Sequence, residues 1–204
     1  MRGMWVAAAA LLVVGGSAAP SAARAPAVSS PRSLAHSLVL HDGPGDVWIF
    51  SDSTVGYQPA DQPAADVLRA RVTHGTNAVG TRMVLDDLQR IGIQWFYVDV
   101  HTAGVTSWFI LEARAGNRQG TVYQDVQGEW VRMPGIDHRI DYAADRVTLR
   151  IPRTMLGAPP WVRVRMRTVL RLPDATFFTD NPTTSGPDAD FTPRVPAPVT
   201  ASAA

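Results

Sequence analysis

Apolar and polar residues alternate with a period of two along most of the chain beyond residue 35, the spacing of strands that bury one face. Asp46–Phe50 (DVWIF) reads as a short strand, preceded by another at Ser37–His41. Asp66–His74 (DVLRARVTH) alternates, turns at Gly75-Thr76-Asn77 and returns as Ala78–Leu85 (AVGTRMVL), which predicts a hairpin. Gln94–His101 (QWFYVDVH) and Ser107–Arg114 (SWFILEAR) flank Thr102-Ala103-Gly104-Val105 and predict a second. Asn117–Gly120 reads as a turn, followed by strands at Thr121–Val126 and Glu129–Met133 that meet at Gln127-Gly128. Arg146–Ile151 alternates and stops at Pro152, and Trp161–Leu170 is the last long strand. Helical signals are confined to single turns at Asp87–Arg90 and Arg153–Leu156. About nine or ten short strands separated by frequent turns predict an all-β, antiparallel β-sandwich of jelly-roll type.

The two ends depart from this pattern. Arg2 precedes the apolar run VAAAALLVV (Val6–Val14) and then the small residues GGSAAPSAARAPA. These are the three parts of a secretory signal peptide, and the run is far short of the roughly 20 residues needed to span a bilayer. Cleavage sites of A-x-A type follow Ala25 and Ala27; Pro26 disfavours the first, so residues 1–27 are expected to be removed. Residues 28–35 read as a flexible lead, 36–195 as the sandwich domain and 196–204 as a disordered tail. The expected localisation is extracellular, with no transmembrane span in the mature chain.

Composition narrows the function classes. All 19 basic residues are Arg, against 18 acidic residues, nearly all Asp. Removing Arg2 and Arg24 with the leader takes the balance just below neutral, which argues against a nucleic-acid binder. Arg163, Arg165 and Arg167 alternate with Val162, Val164 and Met166, so they read as the solvated face of a strand. There is no cysteine, which rules out disulfides and thiolate zinc sites. Histidines at 36, 41, 74, 101 and 138 form no metal-binding motif. Asp137, Arg139, Asp141 and Asp145 read as a charged sheet edge.

Two stretches carry a resemblance. RVTLRIPRTMLGAPPWVRVRM (Arg146–Met166) and YVDVHT (Tyr97–Thr102) resemble the late strands and the central strand of family 9 carbohydrate-binding-module-like (DOMON-like) β-sandwiches. GDVW (Gly45–Trp48), DRVTLRIPRTMLGAPPWVRV (Asp145–Val164) and FTPRV (Phe191–Val195) are similar to an uncharacterised family of small secreted actinobacterial proteins. Members of that family often carry a cysteine where Met155 stands here and a second one upstream, so the resemblance implies that one disulfide has been lost as a pair. It also implies a sandwich and export, and it brings no activity with it, because a fold does not fix a ligand.

The second hairpin holds the candidate chemistry. A two-residue turn at Ala103-Gly104 sets Asp99 opposite Trp108, Tyr97 opposite Ile110 and Trp95 opposite Glu112. Phe96, Val98, Val100, Phe109 and Leu111 then form the core face. Trp95, Tyr97, Asp99, Trp108 and Glu112 share the other, with His101 beside them. Rings next to carboxylates suit a saccharide, whose C–H face covers an aromatic ring while its hydroxyls bond to polar groups. The same face would be structural if a second sheet or a loop covered it. Trp48, Trp130 and Trp161 are expected in core or rim packing, and Tyr57 in a loop at the edge of a cleft. His41-Asp42-Gly43-Pro44-Gly45-Asp46, with Asp61 and Asp66, offers oxygens that suit Ca²⁺ but matches no EF-hand, so it is read as a turn and no cofactor is expected. Neither a G-x-S-x-G elbow nor a phosphate-binding glycine loop is present. The expected function is non-catalytic binding of a glycan or cell-wall saccharide, with a protein-interaction domain of the envelope as the alternative and a hydrolase built on Asp99 and Glu112 as the third reading.

Overall fold

A computed structural model of the chain describes residues 35–50 and 58–199. The leader, most of the lead segment, Tyr57 and residues 200–204 lie outside the described residues. Among the described residues fourteen strands follow in order: β1 (His36–His41), β2 (Val47–Phe50), β3 (Gln58–Ala60), β4 (Val67–His74), β5 (Ala78–Leu85), β6 (Ile93–His101), β7 (Thr106–Arg114), β8 (Asn117–Val126), β9 (Glu129–Arg132), β10 (Asp137–Asp141), β11 (Arg146–Pro152), β12 (Trp161–Arg171), β13 (Phe177–Asp180) and β14 (Val195–Pro196). The only helical turn among the described residues is a 3₁₀ turn at Arg153–Leu156, closed by Gly157 at φ 72°. Asp87–Arg90, expected as a helical turn, is irregular. No helix among the described residues is long and apolar enough to cross a membrane.

The strands form two antiparallel sheets, confirming the sandwich. The smaller runs β1-β4-β5-β11-β10; the larger runs β3-β2-β13-β12-β6-β7-β8-β9, with β14 added to β12. Alternation along each strand explains the core. Val72, Met83, Leu149 and Ile151 of the smaller sheet and Phe96, Val98, Phe109, Leu111, Val164 and Met166 of the larger are buried in one cluster. A second, smaller cluster of Val47, Ala64, Ala65, Leu170 and Phe178 lies where the chain passes between sheets. Burying side chains of this size stabilises by about 1.5–3 kcal/mol each, and with no cysteine no disulfide supplements the core.

Several expectations need correction. Asn117–Gly120 is not a connecting turn: it belongs to β8, where the register against β7 shifts and Gly120 adopts φ 90°. The strand therefore bulges instead of ending. Pro196 pairs with Trp161, and the Ala197 amide donates to the Pro160 carbonyl (2.7 Å), so the sandwich extends past residue 195. The arginine row of β12 is not a freely solvated face. β12 lies inside the sheet between β13 and β6, and the segment leading to β14 bonds along it, the Thr192 amide donating to the Val164 carbonyl (2.9 Å). Arg163 and Arg165 lie under the Phe191 ring, and Arg163 Nε donates to the Thr192 carbonyl (2.9 Å).

Candidate functional site

The outer face of the larger sheet is built by register. The tight turn at Ala103-Gly104, with Gly104 at φ 88°, pairs Trp95 with Glu112, Tyr97 with Ile110 and Asp99 with Trp108. Neighbouring strands extend these rows. Tyr123 of β8 pairs with Ile110, and Trp130 of β9 sits on the next strand, paired with Asp125. On the other side Arg167 pairs with Tyr97 and Arg165 with Asp99. Because β8 and β9 continue the sheet beyond the hairpin, the face becomes a shallow trough floored by rings.

Two cavities share this face, and Tyr97 lines both. The first, of about 350 Å³, is lined by Trp95, Tyr97, Ile110, Glu112, Tyr123 and Trp130. Trp95 Nε1 donates to Glu112 Oε2 (3.0 Å), and the other oxygen of Glu112 is 3.5 Å from Arg114 Nε, which orients the carboxylate without burying it. The second, of about 360 Å³, is lined by Tyr97, Asp99, Arg165 and Arg167 of the sheet and by Asp188 and Asp190 of the segment between β13 and β14. Here Arg165 grips Asp99 Oδ2 through Nε (2.8 Å) and Nη2 (2.7 Å). Burial pushes the Asp99 carboxyl up, and Arg165 pulls it part of the way back. The guanidinium of Arg167 lies 4.7 Å from the Tyr97 ring centroid; burial raises the Tyr97 phenol, with Arg167 opposing.

Trp95, Tyr97 and Glu112, expected from the sequence to lie together, line one cavity. Asp99 lies in the neighbouring cavity, engaged by Arg165, and Trp108 stands at 42% exposure outside both linings. Tyr123, Trp130, Ile110 and Arg167 join the site without having been singled out for it. Trp130, expected in core or rim packing, is 47% exposed on the open edge strand. Trp48 is half-buried and donates to the Ser185 carbonyl (3.2 Å), and Trp161 packs between His101 and Arg194. On the outer face of the other sheet, a trough of about 490 Å³ lined by Arg71, Arg82 and Arg150 contains neither an aromatic ring nor a carboxylate.

Comparison with family models, with curated proteins and with solved structures finds no match to this chain.

Proposed function

We propose that the protein is a secreted, non-catalytic binding domain for a glycan or cell-wall saccharide, held in the aromatic trough of the larger sheet. The observation that carries this reading is the cavity of about 350 Å³ in which Trp95, Tyr97, Tyr123 and Trp130 surround the oriented carboxylate of Glu112. Rings take the C–H faces of sugar units and Glu112 accepts from their hydroxyls. The adjoining polar cavity extends the row with Arg167, Asp188 and Asp190. Engagement of Asp99 by Arg165 and of Glu112 by Trp95 and Arg114 supports binding over hydrolysis, since glycoside cleavage needs one carboxyl free to donate a proton and a second to act across the bond. The leader-like N-terminus and the resemblance to carbohydrate-binding sandwiches support the same reading.

A protein partner is the second reading, favoured by the edge strand β9, whose four residues are all exposed, with Val126, Trp130 and Val131 forming an apolar fringe. Binding of the purified protein to a panel of insoluble polysaccharides and peptidoglycan separates the two. A Trp95→Ala/Trp130→Ala variant, shown folded by circular dichroism, is expected to lose retention at least about tenfold, because stacked rings dominate such contacts. Absence of retention on every glycan would reject the saccharide reading and leave the edge-strand reading standing.

A further inference from the structure

A separate group of side chains, remote in sequence from the trough residues, has no explanation in saccharide binding. Asp42 and Asp46 flank the turn that carries the chain from β1 in the smaller sheet to β2 in the larger. Asp180 ends β13, which pairs with β2, and Asp66 immediately precedes β4. One carboxylate oxygen from each of Asp42, Asp46 and Asp180 lies within 4.8 Å of the others. Asp180 has no exposed surface; its Oδ2 accepts from the Val67 amide (2.6 Å), and its Oδ1 is buried with no partner. Asp66, 3% exposed, likewise spends Oδ2 on the Gly45 amide (2.6 Å) and leaves Oδ1 buried and unpaired. Asp42 Oδ2 and Asp46 Oδ1 are also buried without partners. No arginine or histidine forms an ion pair with any of the four among the described residues.

Three clustered carboxylates and the buried Asp66, all with orphaned, enclosed oxygens, constitute a large uncompensated penalty unless something positive sits among them. We propose that Asp42, Asp46 and Asp180 bind one Ca²⁺ ion, with Asp66 holding the turn beneath it. The donors are all hard oxygens, which selects an alkaline-earth cation over zinc or copper. Oxygens within 4.8 Å of one another are near enough to share one cation bonded at about 2.4 Å, and Ca²⁺ tolerates the irregular, partly hydrated geometry that Mg²⁺ resists. The ion ties the crossover between sheets to the end of β13, so its role is to lock the fold at the second core cluster of Val47, Ala64, Ala65, Leu170 and Phe178.

The test is calorimetric titration of EGTA-treated, dialysed protein with CaCl₂ near neutral pH, paired with thermal melts. One Ca²⁺ per chain and a Tm rise of about 5 °C or more at saturating Ca²⁺ are expected. Asp46→Asn leaves the Gly45 and Val67 amide bonds intact, and Asp180→Asn retains an acceptor for Val67. Each should weaken Ca²⁺ binding at least tenfold and abolish the Tm response, while melting in EGTA at or above the parent temperature because like-charge repulsion has been relieved. No heat and no Tm shift at millimolar CaCl₂ in the parent would overturn the proposal and leave the carboxylates relieved by protons instead. Binding that survives unchanged in both variants would place the ion elsewhere and overturn it equally.

Discussion

The imidazole of His74 has no exposed surface, and its Nδ1 lies 3.0 Å from the carbonyl oxygen of Val195 while Nε2 has no partner. A neutral ring with the proton on Nδ1 donates to that carbonyl and ties the end of β4 to β14. Burial lowers its pKa below the free value of 6.5. As pH falls through 6.5 the unfolded chain therefore takes up a proton that the folded chain resists, and stability declines. The expected outcome is that the loss of urea resistance between about pH 7.5 and pH 5 shrinks in His74→Gln; an unchanged pH dependence would count against this account. At the same scale, the pairing of Trp95 with Glu112 could be read from the sequence because one turn fixes both residues. Asp180 beside Asp42 could not: the two are brought together by a sheet order that no local pattern encodes, and Asp42-Gly43-Pro44-Gly45-Asp46 satisfies the rules for a turn whether or not an ion sits on it.

Two glycines show how differently strands are closed. Gly92, at φ 50°, precedes β6 so close to β12 that a Cβ there would collide with the Arg171 carbonyl oxygen. Gly128, at φ 89° between β8 and β9, has nothing within 4 Å. Gly128→Ala pays only for backbone strain, about 1–2 kcal/mol. Gly92→Ala must also move backbone and should cost about 3 kcal/mol or more in chemical denaturation. Equal costs for the two would remove the close approach as the reason for glycine at 92. The long hairpins were legible because alternation, turn residues and pairing agree within a few positions. β3, β13 and β14 were not: Gln58–Ala60, Phe177–Asp180 and Val195–Pro196 are too short to show a period, and their partners supply the reason they are strands. The trough suffered the same limit, since Tyr123 and Trp130 reach it from strands beyond the hairpin that announced it.

At the scale of the molecule, the larger sheet is assembled out of chain order. β2 pairs locally with β3 but joins the rest of the sheet only through β13, and β12 pairs on one side with β6 and on the other with β13 and β14. Contacts so far apart in sequence must repay loop closure before they reward it, so refolding from denaturant should take milliseconds to seconds rather than microseconds. Stopped-flow Trp fluorescence measures this directly, and a microsecond phase with full amplitude would contradict it. The same order imposes a schedule on synthesis. A ribosome delivers Val47–Phe50 long before it delivers Phe177–Asp180, so β2 and β3, paired only with each other, wait for nearly the whole chain to emerge before they join the larger sheet. The molecule cannot close early: its larger sheet has no route from β2 to β12 until β13 arrives.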